Sequence, residues 1–167
     1  MKKAATLFLL IISLYSIAQN KSLRTFPDLE NRLDTHFPIE KFKDQNGKNY
    51  SADYLKGKIT LLNFWFTTCE PCLKEIPDLV KLKKSVGNKI NFMGITPDTE
   101  EKVTQFLLKH DFDFQQVTNA GQQLKELFVV QRYPMTFIVD KNGNIREIMG
   151  IISEEKFDSI KKRFDEY

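Results

Sequence analysis

The 167-residue chain has two cysteines, and they lie three positions apart in Cys69-Glu70-Pro71-Cys72. The thiolate is the reactive form of cysteine, and a close pair can cycle between dithiol and disulfide. As a staple the pair is poor, because closing a four-residue loop restrains the unfolded chain by only about 2 kcal/mol. Half of a zinc site is the other reading, but His36 and His110 are 74 positions apart and form no ligand pair of their own. Redox exchange is the chemistry this spacing serves best.

The flanking residues say how the thiols are presented. Residues 59–66, Ile-Thr-Leu-Leu-Asn-Phe-Trp-Phe, read as a fully buried strand that passes without a glycine turn into a helical pattern. The unpaired N–H groups and positive dipole end of that helix favour a thiolate at its first residues. Cys69 is therefore expected to expose the attacking sulfur, and Cys72, one turn deeper, to resolve the mixed disulfide. The helix should reach Val86 and stop at Gly87. Pro71 falls in its first turn, where a missing N–H costs nothing, whereas Pro77 falls inside and should bend it. Ile76, Val80 and Val86 give an inward face, and Lys81, Lys83 and Lys84 a solvated one.

Upstream, residues 39–42 and 49–54 flank Asp44-Gln45-Asn46-Gly47-Lys48, whose Asn-Gly pair suits a tight hairpin turn. Downstream, strands are expected over 90–95 and 112–117. Between them lies a helix with Asp98 as cap and Glu101 three residues on, its face marked by Val103, Phe106, Leu107 and His110. A short helix over 121–129 precedes Gln131-Arg132-Tyr133-Pro134. Residues 135–140 and 145–148 form a hairpin about Asn142-Gly143, and a last helix starts near Ser153 with Phe157, Ile160, Phe164 and Tyr167 facing a sheet.

Met1-Lys2-Lys3, an apolar run over 4–17 and Ser16-Ile17-Ala18 have the three zones of a secretory signal, expected to be cleaved after Ala18. The apolar run is short for a spanning helix, so membrane attachment is expected only if the leader stays uncleaved. Net charge is +3, and without Lys2 and Lys3 the balance is 23 basic against 22 acidic residues. That near-neutrality argues against nucleic acid. The parts are a signal peptide at 1–18, a mature N-terminal segment at 19–34 and one domain at 35–167.

From residue 37 to the C-terminus the chain resembles the thioredoxin superfamily. Leu62-Asn63-Phe64-Trp65, Cys69-Glu70-Pro71-Cys72 and Glu75-Ile76-Pro77 look like its TlpA/ResA-type extracytoplasmic branch of thiol-disulfide oxidoreductases. The resemblance implies an α/β thioredoxin-like fold, a mixed central sheet with helices on both faces. It also implies an N-terminal β-hairpin and an added helix and strand near 98–118. It makes Tyr133-Pro134 cis, with Tyr133 offering backbone groups to a substrate. Glu70, Pro71 and Trp65 are carried as further candidates for the docking surface, although Trp65 at a strand end reads first as core. Thioredoxins place an aspartate where this chain has Asn63, so Glu75, three residues after Cys72 on the same helical face, is the candidate proton acceptor. They also place a tryptophan where this chain has Thr68.

The implied partners are protein thiols and disulfides, such as an apocytochrome or another oxidoreductase, and an electron donor that re-reduces the protein. No cofactor and no metal is implied. The expected direction is reduction of substrates, with Glu70 opposing the thiolate by like-charge repulsion. Two other readings compete: a peroxiredoxin-like peroxidase, which needs Thr or Ser where Phe66 stands, and a metal or haem carrier using the thiols as ligands.

Overall fold

The structure, a computed structural model, describes Leu23 and residues 26–167. The leader expected over residues 1–18 lies outside the described residues. Five strands, β1 (Thr60–Phe64), β2 (Asn91–Ile95), β3 (Gln115–Val117), β4 (Met135–Val139) and β5 (Ile145–Met149), form one sheet in the order β3-β2-β1-β4-β5. β1, β2 and β3 are parallel, and β4 runs antiparallel to both β1 and β5. Every residue of β1 is buried, as its unbroken apolar run requires of a central strand covered on both faces.

Alternation along the strands divides the core in two. Leu61, Trp65, Ile138 and Met149 face α1 (Glu70–Val86), α2 (Glu100–Leu107) and α4 (Phe157–Glu166), meeting Leu79, Val103 and Ile160. Leu62, Phe64, Phe137 and Ile148 face the other way, onto α3 (Gly121–Leu127) and the segment carrying Phe37, Ile39 and Phe42. The sheet thus has helices on both faces, as expected.

α1 begins at Glu70 with Cys69 as its cap and continues through Pro77, which cannot donate to the Leu73 carbonyl. It ends at Gly87, whose φ of 59° suits a residue without a Cβ and whose N–H returns to the Lys83 carbonyl. The lysines of its outer face are ion-paired, Lys81 with Glu154, Lys83 with Asp113 and Lys84 with Asp111.

Three expectations change in detail. The N-terminal hairpin shrinks to a single bridge, Lys43 to Asn49, around a turn in which Asp44 Oδ1 accepts from Asn46 N and Lys48 N. Residues Ile39–Lys41 form a 3₁₀ turn, because Ile39 and Phe42 bury on one side and lie three positions apart, the period of that helix. The cap of α2 is Thr99, whose hydroxyl accepts from Lys102 N, while the Asp98 carboxylate turns to Thr67 instead. His110 lies beyond the end of α2 with its ring stacked on Phe106 at 4.0 Å.

The inserted helix and strand are fastened to β1 through Trp65. Its indole N–H donates to Gln116 Oε1 of β3 at 3.0 Å, and its ring packs against Phe106 and Phe112 at about 5 Å. Gly94 of β2 lies beneath this bond. A Cβ there would stand 2.8 Å from the indole nitrogen and closer still to Gln116 Oε1. Gly94→Ala should therefore break the Trp65–Gln116 bond or lift β3 from β2. The expected loss is about 1–3 kcal/mol, read as a lower urea midpoint with an unchanged slope.

Candidate active site

After Phe64 the backbone stays with the sheet for one more residue, Trp65 N donating to Ile95 O at 3.2 Å. It then makes a four-residue turn closed by Cys69 N to Phe66 O at 3.1 Å. Thr67 N, inside that turn, donates to Asp98 Oδ2 at 2.6 Å. The turn delivers Cys69 to the helix N-terminus, where its sulfur accepts from Cys72 N and its carbonyl from Leu73 N. Cys69 and Cys72 are joined in a disulfide with their Cα atoms 5.2 Å apart.

Both half-cystines are enclosed, Cys69 at 4% and Cys72 at 1% exposure. The order expected from the sequence is kept, but the open sulfur expected at Cys69 is not found in the disulfide state. Phe66 and Tyr133 pack at the rim of the same core cluster and meet edge to face at 5.1 Å. That contact ties the turn before Cys69 to the loop carrying the cis Tyr133-Pro134 bond. Pro134 is buried and Tyr133 half-buried. Burial and the Asp98 charge push the Tyr133 hydroxyl above its usual range.

The other docking candidates separate. Glu70, Pro71 and Thr68 are exposed around the disulfide, and Glu70 pairs with Lys74 at 2.7 Å. Trp65 is fully buried, so the expectation that it lines the docking surface is corrected: its hydrogen bond to Gln116 and its two aromatic neighbours hold it in the core.

Glu75 is 2% exposed on the core side of α1. Its Oε1 accepts from Ile152 N at 2.9 Å, and its Oε2 has no hydrogen-bond partner among the described residues. Desolvation dominates, raising its pKa to about 8 against the smaller opposing effects of the Ile152 N–H, Lys156 and the Asn63 amide. That amide is close enough to act on the carboxyl, but its hydrogen bond goes to Thr136 Oγ1 at 3.0 Å. Lys156 in turn holds the Ile151 carbonyl at 2.7 Å. Sequence reading missed Ile152, Lys156 and Asp98 as parts of this site. Asp98 and Ile152 reach the site through backbone N–H bonds spanning 31 and 77 positions, and Lys156 through its charge on Glu75, separations that no spacing rule covers.

A wide groove lies elsewhere, an open space of about 910 Å³ between the 44–54 loop and the α2–β3 edge. The disulfide is enclosed, with Thr68, Glu70 and Pro71 exposed around it.

A model of the AhpC/TSA family matches residues 33–148. The thiol-disulfide oxidoreductase ResA of Bacillus thuringiensis subsp. konkukian is 31% identical over 123 residues, covering 72% of this chain and 71% of that protein. A thioredoxin-family thiol:disulfide interchange protein from Chlorobium tepidum superposes with a TM-score of 0.59 at 26% identity, over 72% of this chain and 89% of its own. A thiol:disulfide interchange protein from a Bacteroides species shares the fold, with a TM-score of 0.66 at 22% identity over 80% and 90% of the two chains. With a cysteine pair disulfide-bonded at a helix N-terminus beside a cis-proline loop, the chain belongs to the AhpC/TSA family as a thioredoxin-like thiol-disulfide oxidoreductase of the ResA type.

Proposed function

We propose that this protein is an exported reductant of protein disulfides working through the Cys69-Glu70-Pro71-Cys72 dithiol. The observation that carries the proposal is a protonatable carboxyl, Glu75, buried on the helical face of Cys72. The Cys69 thiolate attacks one sulfur of a substrate disulfide, so that a Cys69–substrate bond forms, the substrate bond breaks and one substrate thiolate leaves. Cys72 then gives its proton to the Glu75 carboxylate and attacks the Cys69 sulfur. The second substrate thiolate leaves, and the protein has passed on two electrons and become the disulfide.

A donor dithiol reverses the sequence: its thiolate attacks Cys69, Cys72 departs as thiolate and takes the proton back from Glu75. The proton thus resides on Glu75 in the oxidised protein and on Cys72 in the reduced one. Burial lifts the Glu75 carboxyl to about 8, into the range in which thiols titrate, so a proton can pass between the two kinds of group. Tyr133 offers its backbone to the substrate chain beside Pro134, with Glu70 and Pro71 on the exposed rim.

The direction follows from what opposes the thiolate. Enclosure of both sulfurs disfavours charge, and the motif has no histidine to offset it. A potential of roughly −250 mV or lower is expected. The charged, apolar and small-residue zones of residues 1–18 support export, with a segment at 19–34 leading into the domain at 35–167. Among the described residues no helix is long and apolar enough to cross a membrane. Substrates of the apocytochrome or partner-oxidoreductase type would approach the disulfide across the exposed rim of Thr68, Glu70 and Pro71. A peroxidase would need a hydroxyl where Phe66 packs on Tyr133, and a peroxide-consumption assay separates the two.

Cys72→Ser should accumulate mixed disulfides with its substrates, and Cys69→Ser should not; the opposite pattern would reverse the roles. Equilibration with a glutathione or dithiothreitol couple should return a potential at or below roughly −250 mV, and a value above roughly −180 mV would defeat the reductant reading.

Glu75 adds a pH signature. Its folded pKa is raised, so between the ordinary 4.5 and about 8 the folded protein holds a proton that the unfolded chain has lost. The associated stability is complete below the lower value and drains away as pH rises to the upper one. Unfolding free energy of the oxidised protein should fall through that window by up to about 1.4 kcal/mol per pH unit from this group. Glu75→Gln should flatten the slope and shift the pH dependence of Cys69 alkylation in the reduced protein. Unchanged slopes and profiles would leave Glu75 without a role in proton transfer.

A further inference from the structure

We propose that Asp98 is a positioning residue for thiol exchange: its carboxylate, acting through the Thr67 N–H, fixes the turn that presents the Cys69 sulfur. The proposal rests on Cys69 being the attacking thiol. Between the end of β1 and the start of α1 the chain has five residues in which to reverse direction. Within that turn a single backbone hydrogen bond, Cys69 N to Phe66 O, closes the loop. Thr68 at its crest is exposed. What holds the turn from outside is the 2.6 Å bond from Thr67 N to Asp98 Oδ2, a charge-assisted contact of the short, strong kind.

Among the described residues the carboxylate accepts a hydrogen bond from Thr67 N alone. Its expected task, capping α2, is done by Thr99. Among the described residues no lysine or arginine forms an ion pair with it. Its own backbone, by contrast, is clamped on both sides: Asp98 N donates to Thr96 Oγ1 at 3.2 Å and Asp98 O accepts from Asn119 N at 2.8 Å. Thr96 is held in turn by Val117 O and Ala120 N at 2.9 and 3.0 Å. The acceptor is therefore set rigidly by both ends of the inserted segment, and its place relative to the turn is inherited from the sheet. Its charge also reaches the Tyr133 hydroxyl in the loop that carries Pro134.

Attack on a disulfide needs the incoming sulfur in line with the bond that breaks, and displacement by about 1 Å can cost on the order of 10²-fold in rate. Losing the anchor should therefore act on the attack itself. The test is the second-order rate of the reduced protein with hydroxyethyl disulfide, an uncharged probe, across pH to the plateau where Cys69 is fully thiolate. On that plateau the thiolate fraction is the same in every variant, and a changed thiol pKa enters only through nucleophilicity, about threefold per unit; Asp98→Asn removes the same charge and controls for it.

Asp98→Ala should lower the plateau rate about tenfold or more. Asp98→Asn, which keeps an acceptor oxygen for Thr67 N, should recover it to within about threefold of wild type. An Asp98→Ala plateau within about twofold of wild type, or equal losses in both variants, would overturn the proposal. If Asp98→Ala does not fold, the wild-type protein carries the test: the Thr67 amide proton shift should follow a carboxylate titration that Asp98→Asn abolishes, and a flat shift would overturn the proposal. Failure of Cys72→Ser to trap substrate would instead remove the nucleophile assignment on which all this stands. An unaffected Asp98→Ala in a protein that still traps would remove this inference alone.

Discussion

A carboxyl group enclosed in the core is the constraint around which this site is built. Burying a carboxylate with one hydrogen bond costs several kcal/mol, and the group answers by keeping its proton. Glu75 does so up to about pH 8, giving one oxygen to Ile152 N. That bond joins α1, which carries the cysteines, to the loop between β5 and α4. The same loop is gripped from its other side by Lys156 through the Ile151 carbonyl. A helix and a loop that are remote in sequence thus meet at one acid.

The electrostatics of the cysteine pair differ from what the motif suggests. Glu70 stands between the cysteines as a bare charge in the sequence, yet it is exposed and pairs with Lys74 one helical turn on. An exposed pair of this kind is screened and worth well under 1 kcal/mol, so its effect on the thiolate is small. The larger influences are the enclosure of both sulfurs, which opposes charge, and the helix N-terminus, which favours it.

Much of this was legible in local sequence and some was not. The central strand, α1, its stop at Gly87 and the C-terminal hairpin follow from apolar runs, a helical period and Asn-Gly chemistry, all of which act between near neighbours. The pairing of Cys69 with Cys72 is equally local. The N-terminal hairpin failed because a turn signal at Asn46-Gly47 says nothing of whether flanking strands exist. Ile39 and Phe42 had a better place in the core than on a ladder. Trp65 was ambiguous for a related reason: a residue at a strand end can face outward or inward, and the decision was made by Gln116, Phe106 and Phe112 on an insert 41 to 51 positions away. Asp98 read as a helix cap because Asp and Thr are both good caps, and only the fold shows that Thr99 takes that task and frees its neighbour.

Asn63 completes the argument about protons. It lies on the same face of β1 as Leu61 and Trp65, toward Glu75, and its amide donates to Thr136 across the β1–β4 ladder. An acid at that position would put a second carboxyl into the same enclosed space, and two carboxyls there could not both ionise. Each would raise the other's pKa and the pair would titrate as a unit spread over a wide pH range. With an amide there instead, Glu75 is the enclosed acid on the helix that carries the thiols, while Glu147, also buried, is held by Arg163 and Tyr167. In the mechanism proposed above, the amide in the strand and the acid three residues beyond Cys72 act as two halves of one arrangement, with the proton held on the helix that carries the thiols.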